Sequence, residues 1–231
     1  MKKKLLQEIT QRLRELKARI PSLAKKRPDK IYEIYILSCF VEAAHQAGFQ
    51  VTCRDDRGQQ NYLLVRGAPG AIYNAQGPNT YLLITLGQSA LELQHGIFLC
   101  GFSRIPQEAD IAVIGHSVGS LCRTNREHPK CKDGLAITEC KFYRPNSRNT
   151  NLPLGLGRSL LGLSLEFPRS IVLLCANQSK PAIERMVRIH RHRHGHPLRV
   201  FCRIVPANPA GVTEFCHWLA AELRHFIHAV P

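Results

Sequence analysis

Six strand-like segments lie between Phe49 and Tyr143, with little room for helices between them. Parallel strands need crossover connections of about a dozen residues or more, whereas antiparallel strands can be joined by tight turns. Gly, Pro and Asn residues separate these segments, which are rich in β-branched and aromatic residues. This part of the chain is therefore predicted to form mostly antiparallel strands. The segments are FQVTC, NYLLVRG, TYLLITLG, SALELQHGIFLCG, EADIAVIG and LAITECKFY.

The pattern after Tyr143 is different, because helical and strand-like segments alternate. Helices are predicted for LPLGLGRSLLGLSLEF, KPAIERMVRIHRHRH and GVTEFCHWLAAELRHFIHAV, and strands for SIVLLCAN and LRVFCRIV. Such an order places helices over a mixed sheet. The predicted fold class is α/β, with a central mixed β-sheet flanked by helices and an N-terminal amphipathic helix.

The chain begins with that amphipathic helix, predicted for residues 2 to 20 and ended by Pro21. Residues 1 to 30 contain eleven Lys and Arg against three acidic residues. The helix and its linker are either a solvated connector or an arm that contacts nucleic acid. They also offer a surface for a homodimer or a protein partner. We assign residues 1 to 28 to this basic segment and residues 29 to 231 to one α/β domain.

A second helix is predicted to follow the linker. Asp29 is expected to cap it and Gly48 to end it. Glu33 is placed in its first turn, where a carboxylate favours the helix dipole. The same side chain also reaches a site on the sheet if this helix packs across it.

The charge of the chain points to a polyanionic partner. The 231 residues carry a formal net charge of +15 and have a pI near 9.8, which favours nucleic acid before a membrane surface. No apolar run approaches the length needed to span a bilayer. Nine cysteines at irregular spacing favour a reducing compartment, so the predicted location is the cytoplasm.

Candidate catalytic residues lie on two of the predicted strands. In ITECKFY, alternation places Glu139 and Lys141 on one face and Cys140 on the other. In EADIAVIG, Asp110 precedes an apolar run. If the two strands are neighbours, Asp110 and Glu139 form a pair of oxygen ligands beside Lys141, which is suited to a divalent metal and an activated water.

With these residues, the chain resembles the PD-(D/E)XK nuclease superfamily, which has a restriction-endonuclease-like fold, over about residues 29 to 205. The resemblance implies a DNA nuclease in which Asp110 and Glu139 bind Mg²⁺ or Mn²⁺ and the Cys140 carbonyl is a further ligand. It implies that Lys141 orients or activates the water and that Glu33 assists. The chain departs from the family pattern in having Ala109 where Pro is frequent, and a long insertion before Glu139.

Two alternatives of other classes stay open. One is a nuclease-fold module that binds nucleic acid without cutting it. The other is a serine hydrolase, because Gly115-His116-Ser117-Val118-Gly119 matches the Gly-x-Ser-x-Gly elbow after a strand. The fold of such hydrolases requires a helix after the elbow and parallel strands before it. Residues 117 to 134 are instead predicted to be a polar loop, and the preceding strands antiparallel.

Two further groups of possible metal ligands are interpreted without a metal. Cys122, His128 and Cys131 match no familiar zinc spacing, so a plain polar loop is preferred. His190, His192, His194 and His196 alternate near a helix end, which does not place all four on one helical face. Together with Arg191 and Arg193 they suit the helix dipole and contacts to phosphate.

Overall fold

The computed structural model describes residues 1–14, 20, 22–56, 62–73, 79–143 and 153–229. Within them, seven strands form one sheet whose spatial order is the chain order, β1 to β7. Six α-helices and one 3₁₀ turn at Leu23–Lys25 accompany the sheet. The elements are α1 Lys2–Arg12, α2 Pro28–Gln46, β1 Gln50–Asp55, β2 Thr80–Leu86, β3 Ser89–Cys100, β4 Pro106–Gly115, α3 His116–Asn125, β5 Gly134–Lys141, α4 Leu154–Glu166, β6 Ile171–Ala176, α5 Pro181–His194, β7 Leu198–Cys202 and α6 Pro209–Ala229.

The sheet is mixed, and its two halves correspond to the two sequence patterns. Strands β1 to β5 pair in antiparallel fashion, and β5, β6 and β7 are parallel. Helices α4 and α5 provide the crossovers that the parallel strands require. The predictions of an antiparallel middle part and of a mixed sheet flanked by helices are confirmed.

Helices cover both faces of the sheet. On one face, α2 lies between the sheet, α1 and α6, and Tyr32, Tyr35 and Phe40 are fully buried there. On the other face, α3, α4 and α5 enclose a second core, to which Leu160 and Ile183 belong. Burial of each large apolar side chain contributes about 1.5–3 kcal/mol to the free energy of folding. The two cores therefore stabilise the sheet from both faces.

The N-terminal helix belongs to the first of these cores. Leu5, Ile9 and Leu13 are buried against α2, while Lys2 and its neighbours face solvent. The apolar side that suggested a protein partner is therefore covered within the chain. The helix is shorter than predicted, because it ends at Arg12; the rest of the predicted span includes residues 15–19, which lie outside the described residues.

Four local predictions are wrong. The segment NYLLVRG is not a strand: Leu63 and Val65 are buried, which explains its alternating pattern, but residues 63–66 have no regular structure. Asp29 does not cap α2, since Arg27 holds the cap position and pairs with Asp29 in the first turn. Glu33 consequently lies in the second turn. The polar segment from Ser117 begins with α3 rather than a loop.

No helix among the described residues is long and apolar enough to cross a membrane.

Candidate active site

The predicted catalytic residues lie at the centre of the sheet, where β4 and β5 run side by side. The register of these two strands places Ile111 opposite Thr138. Because the strands are antiparallel, Asp110, just before Ile111, and Glu139, just after Thr138, occupy neighbouring positions on the two strands. The backbone N–H of Cys140 donates a hydrogen bond of 2.7 Å to Asp110 Oδ2, which fixes this carboxylate against β5.

Strand alternation separates the side chains of β5 as expected. Cys140 is buried in the core that α2 and α6 cover, whereas Ile137, two residues before Glu139, belongs to the opposite core. Glu139 and Lys141 therefore point toward the α4 side of the sheet. Lys141 Nζ lies 2.7 Å from Glu139 Oε2 and 3.9 Å from Asp110 Oδ2.

Lys141 carries the positive charge of this cluster. Its burial would lower its pKa, but the charges of Glu139 and Asp110 outweigh that effect and hold the pKa above its usual value. The ammonium group therefore stays protonated at neutral pH. It acts as a fixed charge and a hydrogen-bond donor, not as a general base.

The environment of Asp110 disfavours the charged form of its carboxylate. Burial, followed by the nearby charges of Glu33 and Glu139, raises the pKa of Asp110 to about 7. The charge of Lys141 and the Cys140 amide offset only part of this. The acidic cluster thus has more negative charge than the described side chains neutralise, and a bound cation would reverse the shift.

The structure brings Glu33 close to Asp110 but gives it other partners. Lys30 Nζ lies 2.9 Å and His95 Nε2 lies 3.1 Å from Glu33 Oε2. Neither Lys30 nor His95 is among the site residues predicted from the sequence. Lys30 is three residues before Glu33 on one helix face, which is a readable signal. His95 is on β3 opposite Ile111 of β4, a long-range placement that the sequence does not reveal.

His95 has unused hydrogen-bonding capacity. Its side chain is buried, and its Nδ1 has no hydrogen-bond partner among the described residues. A buried polar atom without a partner is costly in free energy and is frequently kept for function. The Glu33–His95 pair therefore forms a polar extension of the site toward β3.

A cavity of about 460 Å³ opens beside Glu139, between β4, β5 and α4. Three carboxylates line it, those of Glu108, Glu139 and Glu166. Glu166 is held by the backbone N–H and the hydroxyl of Ser103. The cavity is acidic and would repel a phosphate group unless a cation were bound.

The donor set fits an open metal site rather than a closed one. Among the described residues, no group of three or more His, Cys, Asp or Glu side chains is arranged to hold a metal ion. Asp110 and Glu139 supply two carboxylates from adjacent strands, and the Cys140 carbonyl lies between Glu139 and Lys141. Mg²⁺ is commonly held by one or two carboxylates, with water and substrate phosphates completing its shell, so this pair suits Mg²⁺ or Mn²⁺.

Residues of the Gly-x-Ser-x-Gly elbow contact a different carboxylate, that of Glu92. Glu92 on β3 is fully buried and accepts two hydrogen bonds from Arg123, one of them 2.8 Å long. His116 Nδ1 lies 2.7 Å from Glu92 Oε1. Gly119 lets α3 approach, since a Cβ at this position would stand 2.3 Å from Glu92 Oε2. Two residues of the elbow therefore hold α3 onto β3.

Ser117 does not join this arrangement. It is exposed in the first turn of α3, and its hydroxyl has no hydrogen bond among the described residues. A serine hydrolase needs its histidine between the serine and the acid, but here His116 bonds Glu92 from the elbow itself. A helix does follow the elbow, contrary to prediction, while the preceding strands are antiparallel as predicted.

The histidine-rich end of α5 is more clustered than its spacing predicts. The rings of His190 and His194 lie 4.7 Å apart, and those of His190 and His196 lie 5.5 Å apart. The helix ends at His194, and Gly195, with a φ of +67°, turns the chain so that His196 returns to the same side. Three of the four imidazoles therefore meet, which the helical spacing alone did not indicate.

Comparison with family models, with curated proteins and with solved structures gives no significant match for this chain.

Proposed function

We propose that this protein is a metal-dependent nuclease of the PD-(D/E)XK type that hydrolyses DNA phosphodiester bonds. The observation that carries the proposal is the meeting of Asp110, Glu139 and Lys141 on adjacent positions of β4 and β5. The order of elements around them supports a restriction-endonuclease-like fold: α2 with Glu33, an antiparallel meander, β5, then α4 and the parallel strand β6.

The electrostatics of the site favour a reaction that requires a cation. Burial, and then the negative charges of Glu33 and Glu139, raise the pKa of Asp110 to about 7. The adjoining cavity carries further carboxylates. An anionic phosphodiester would enter such a site only together with a cation that neutralises it.

In the proposed mechanism, Asp110, Glu139 and the Cys140 carbonyl would hold Mg²⁺ or Mn²⁺. When bound, the metal would polarise the scissile phosphate and lower the pKa of a coordinated water. Lys141, which stays protonated, stabilises negative charge developing on the phosphate and orients the water by donating a hydrogen bond. Lys30 and His95 hold the carboxylate of Glu33 in place, and Glu33 assists the reaction from the edge of the site.

The charge of the whole chain supports nucleic acid as the substrate class. An excess of fifteen positive charges attracts a polyanion over long distances. A cytoplasmic location is part of the same proposal, and it rests on the number and irregular spacing of the nine cysteines.

Purified protein incubated with linear and with closed circular DNA tests the proposal. We expect cleavage with Mg²⁺ or Mn²⁺ and none with EDTA. Glu139→Gln should abolish cleavage, whereas Glu214→Gln, the same change at an exposed position of α6, should not. Cleavage that persists in EDTA, or in Glu139→Gln, would overturn the assignment. DNA binding without any cleavage would favour the non-catalytic binding module instead.

A further inference from the structure

A second polar cavity lies at the opposite end of the parallel strands from the candidate active site. Its volume is about 750 Å³, and Leu135 and Ile171, near the starts of β5 and β6, form part of its wall. Glu139 and Lys141 are at the other end of β5. The C-terminal turn of α5 and the second half of α6 close the remaining sides. The two sites are therefore separated by most of the length of a strand.

The charge of this second cavity is opposite to that of the first. Four arginines line it, Arg169, Arg188, Arg191 and Arg199, and Glu222 is the one carboxylate in its lining. Three histidines also line it, among them His196 of the imidazole cluster. At neutral pH the lining thus carries an excess of positive charge with many hydrogen-bond donors.

These arginines differ from the others that the structure positions by side-chain contacts. Arg12, Arg27 and Arg123 each pair with a carboxylate. Within the described part of the chain, none of the four cavity arginines forms an ion pair or a side-chain hydrogen bond. The guanidinium of Arg199 lies 6.0 Å from the ring centre of Trp218, which also faces the cavity.

Clustered arginines without counterions are unfavourable in free energy. Burial and then the charge of Arg199 lower the pKa of Arg191, which is the expected result of like charges held close together. A bound anion would remove this repulsion. Guanidinium groups suit phosphate in particular, because their planar N–H pairs match two phosphate oxygens.

We propose that this cavity is a second binding site, distinct from the candidate active site, for phosphate groups carried by a small polyphosphate or nucleotide, or by a nucleic-acid strand. Unlike the acidic site at Asp110, it requires no metal, since its own side chains supply the positive charge. It is large enough for a ligand with several phosphates rather than for a single ion. Binding here would hold a phosphorylated ligand at the opposite end of the parallel strands from the reaction.

The fluorescence of Trp218 provides a direct test, because it is the only tryptophan of the chain. The full-length protein is titrated in EDTA with inorganic triphosphate and, separately, with a short single-stranded oligothymidylate. We expect a saturable change of emission that weakens as salt rises. Saturation by triphosphate identifies small polyphosphates as sufficient; saturation by the oligonucleotide alone identifies a strand as the source of the phosphates.

Matched variants locate the binding. The double variant Arg191→Gln, Arg199→Gln should weaken binding at least tenfold, while Arg185→Gln, on the exposed side of the same helix, should not. Circular dichroism checks that the variants fold. Calorimetry with the wild-type protein should give the same affinity as the fluorescence titration. The absence of saturable binding by either ligand, or equal affinity of the double variant, would overturn the proposal.

The test is independent of the proposed nuclease activity. EDTA removes the metal, and Asp110→Asn should leave the titration unchanged. A protein that cuts DNA but fails the titration would refute only the second site. One that binds triphosphate but never cuts would refute only the nuclease.

Discussion

Two buried carboxylates, Glu92 on β3 and Asp110 on β4, lie in neighbouring strands but are treated in opposite ways. Burial would raise the pKa of Glu92, but hydrogen bonds from Arg123 and His116 outweigh it and bring the pKa below its usual value. For Asp110, burial and two nearby acids raise the pKa to about 7. The charge of Glu92 is therefore balanced by Arg123 and His116, whereas the positive charge near Asp110 does not balance its negative neighbours.

The difference separates a structural role for Glu92 from the catalytic role that we propose for Asp110. A buried charge with good partners can be tolerated, while one without them is strongly unfavourable. Arg123 and His116, the partners of Glu92, hold α3 against β3. The excess negative charge at Asp110 destabilises the fold unless something else binds, which is typical of active sites.

The largest expected effect is on the neutralised carboxylate. Arg123→Ala would leave Glu92 buried with its main counterion removed, which typically costs about 3–5 kcal/mol. For a chain of this size, that corresponds to a fall in melting temperature of roughly 6–20 °C. Thermal unfolding measures it, with Arg185→Ala on α5 as an exposed control. A fall of less than about 2 °C would show that Arg123 does not stabilise α3.

The next largest effect is expected at Lys141. Lys141→Ala removes the fixed charge beside Asp110 and Glu139, and cleavage of DNA should fall by about 100-fold or more. Stability should fall less than in Arg123→Ala, because the side chain of Lys141 is 32% exposed and that of Arg123 is 13% exposed. Single-turnover cleavage measures the effect.

Lys132→Ala, an exposed lysine before β5, is the control for Lys141→Ala. High Mn²⁺ should partly rescue Asp110→Ala and Glu139→Ala, which lose metal affinity, but not Lys141→Ala. Equal cleavage by wild type and Lys141→Ala would place the activity elsewhere.

A smaller effect on stability, a gain rather than a loss, is expected for Asp110→Asn in EDTA. The pKa of Asp110 is higher in the folded than in the unfolded protein, so its contribution to stability is complete below about pH 4 and is lost as pH rises to 7. Asparagine stays neutral and can still accept the Cys140 hydrogen bond. The variant should therefore be more stable than wild type at pH 8, by at least about 1 kcal/mol, and equal to it near pH 4.

Glu92→Gln is the matched control, and its sign is reversed. The pKa of Glu92 is lowered by folding, so its charge adds stability above the pKa of the unfolded state, and this contribution is lost in acid. Glu92→Gln should consequently be less stable than wild type at neutral pH. Urea unfolding across the pH range compares the two variants. If Asp110→Asn destabilised the protein at pH 8, Asp110 would be a neutralised carboxylate like Glu92.

The sequence predicted the sheet, and the meeting of Asp110, Glu139 and Lys141, better than it predicted the polar network around Glu92. Alternation placed Glu139 and Lys141 on one face, and the lack of crossover helices implied the antiparallel β4 and β5 that bring in Asp110. Neither signal predicts the pairing of Glu92 with Arg123. These residues are 31 positions apart in the sequence, and their contact depends on how α3 packs against β3. The sequence of α3 is also largely polar and therefore resembles a loop, and the contact with Glu92 helps to hold this helix on the sheet.

The smallest expected effect, none, is at Ser117. Its hydroxyl is exposed and has no hydrogen bond among the described residues, so Ser117→Ala removes neither a stabilising contact nor a catalytic group. DNA cleavage and melting temperature should both match wild type, and a fluorophosphonate reagent should not label the protein. His116→Ala should lower stability by about 1 kcal/mol through its lost bond to Glu92 while cleavage persists. Stoichiometric labelling of Ser117 that disappears in His116→Ala would instead identify a serine hydrolase, because only an activated hydroxyl reacts in this way.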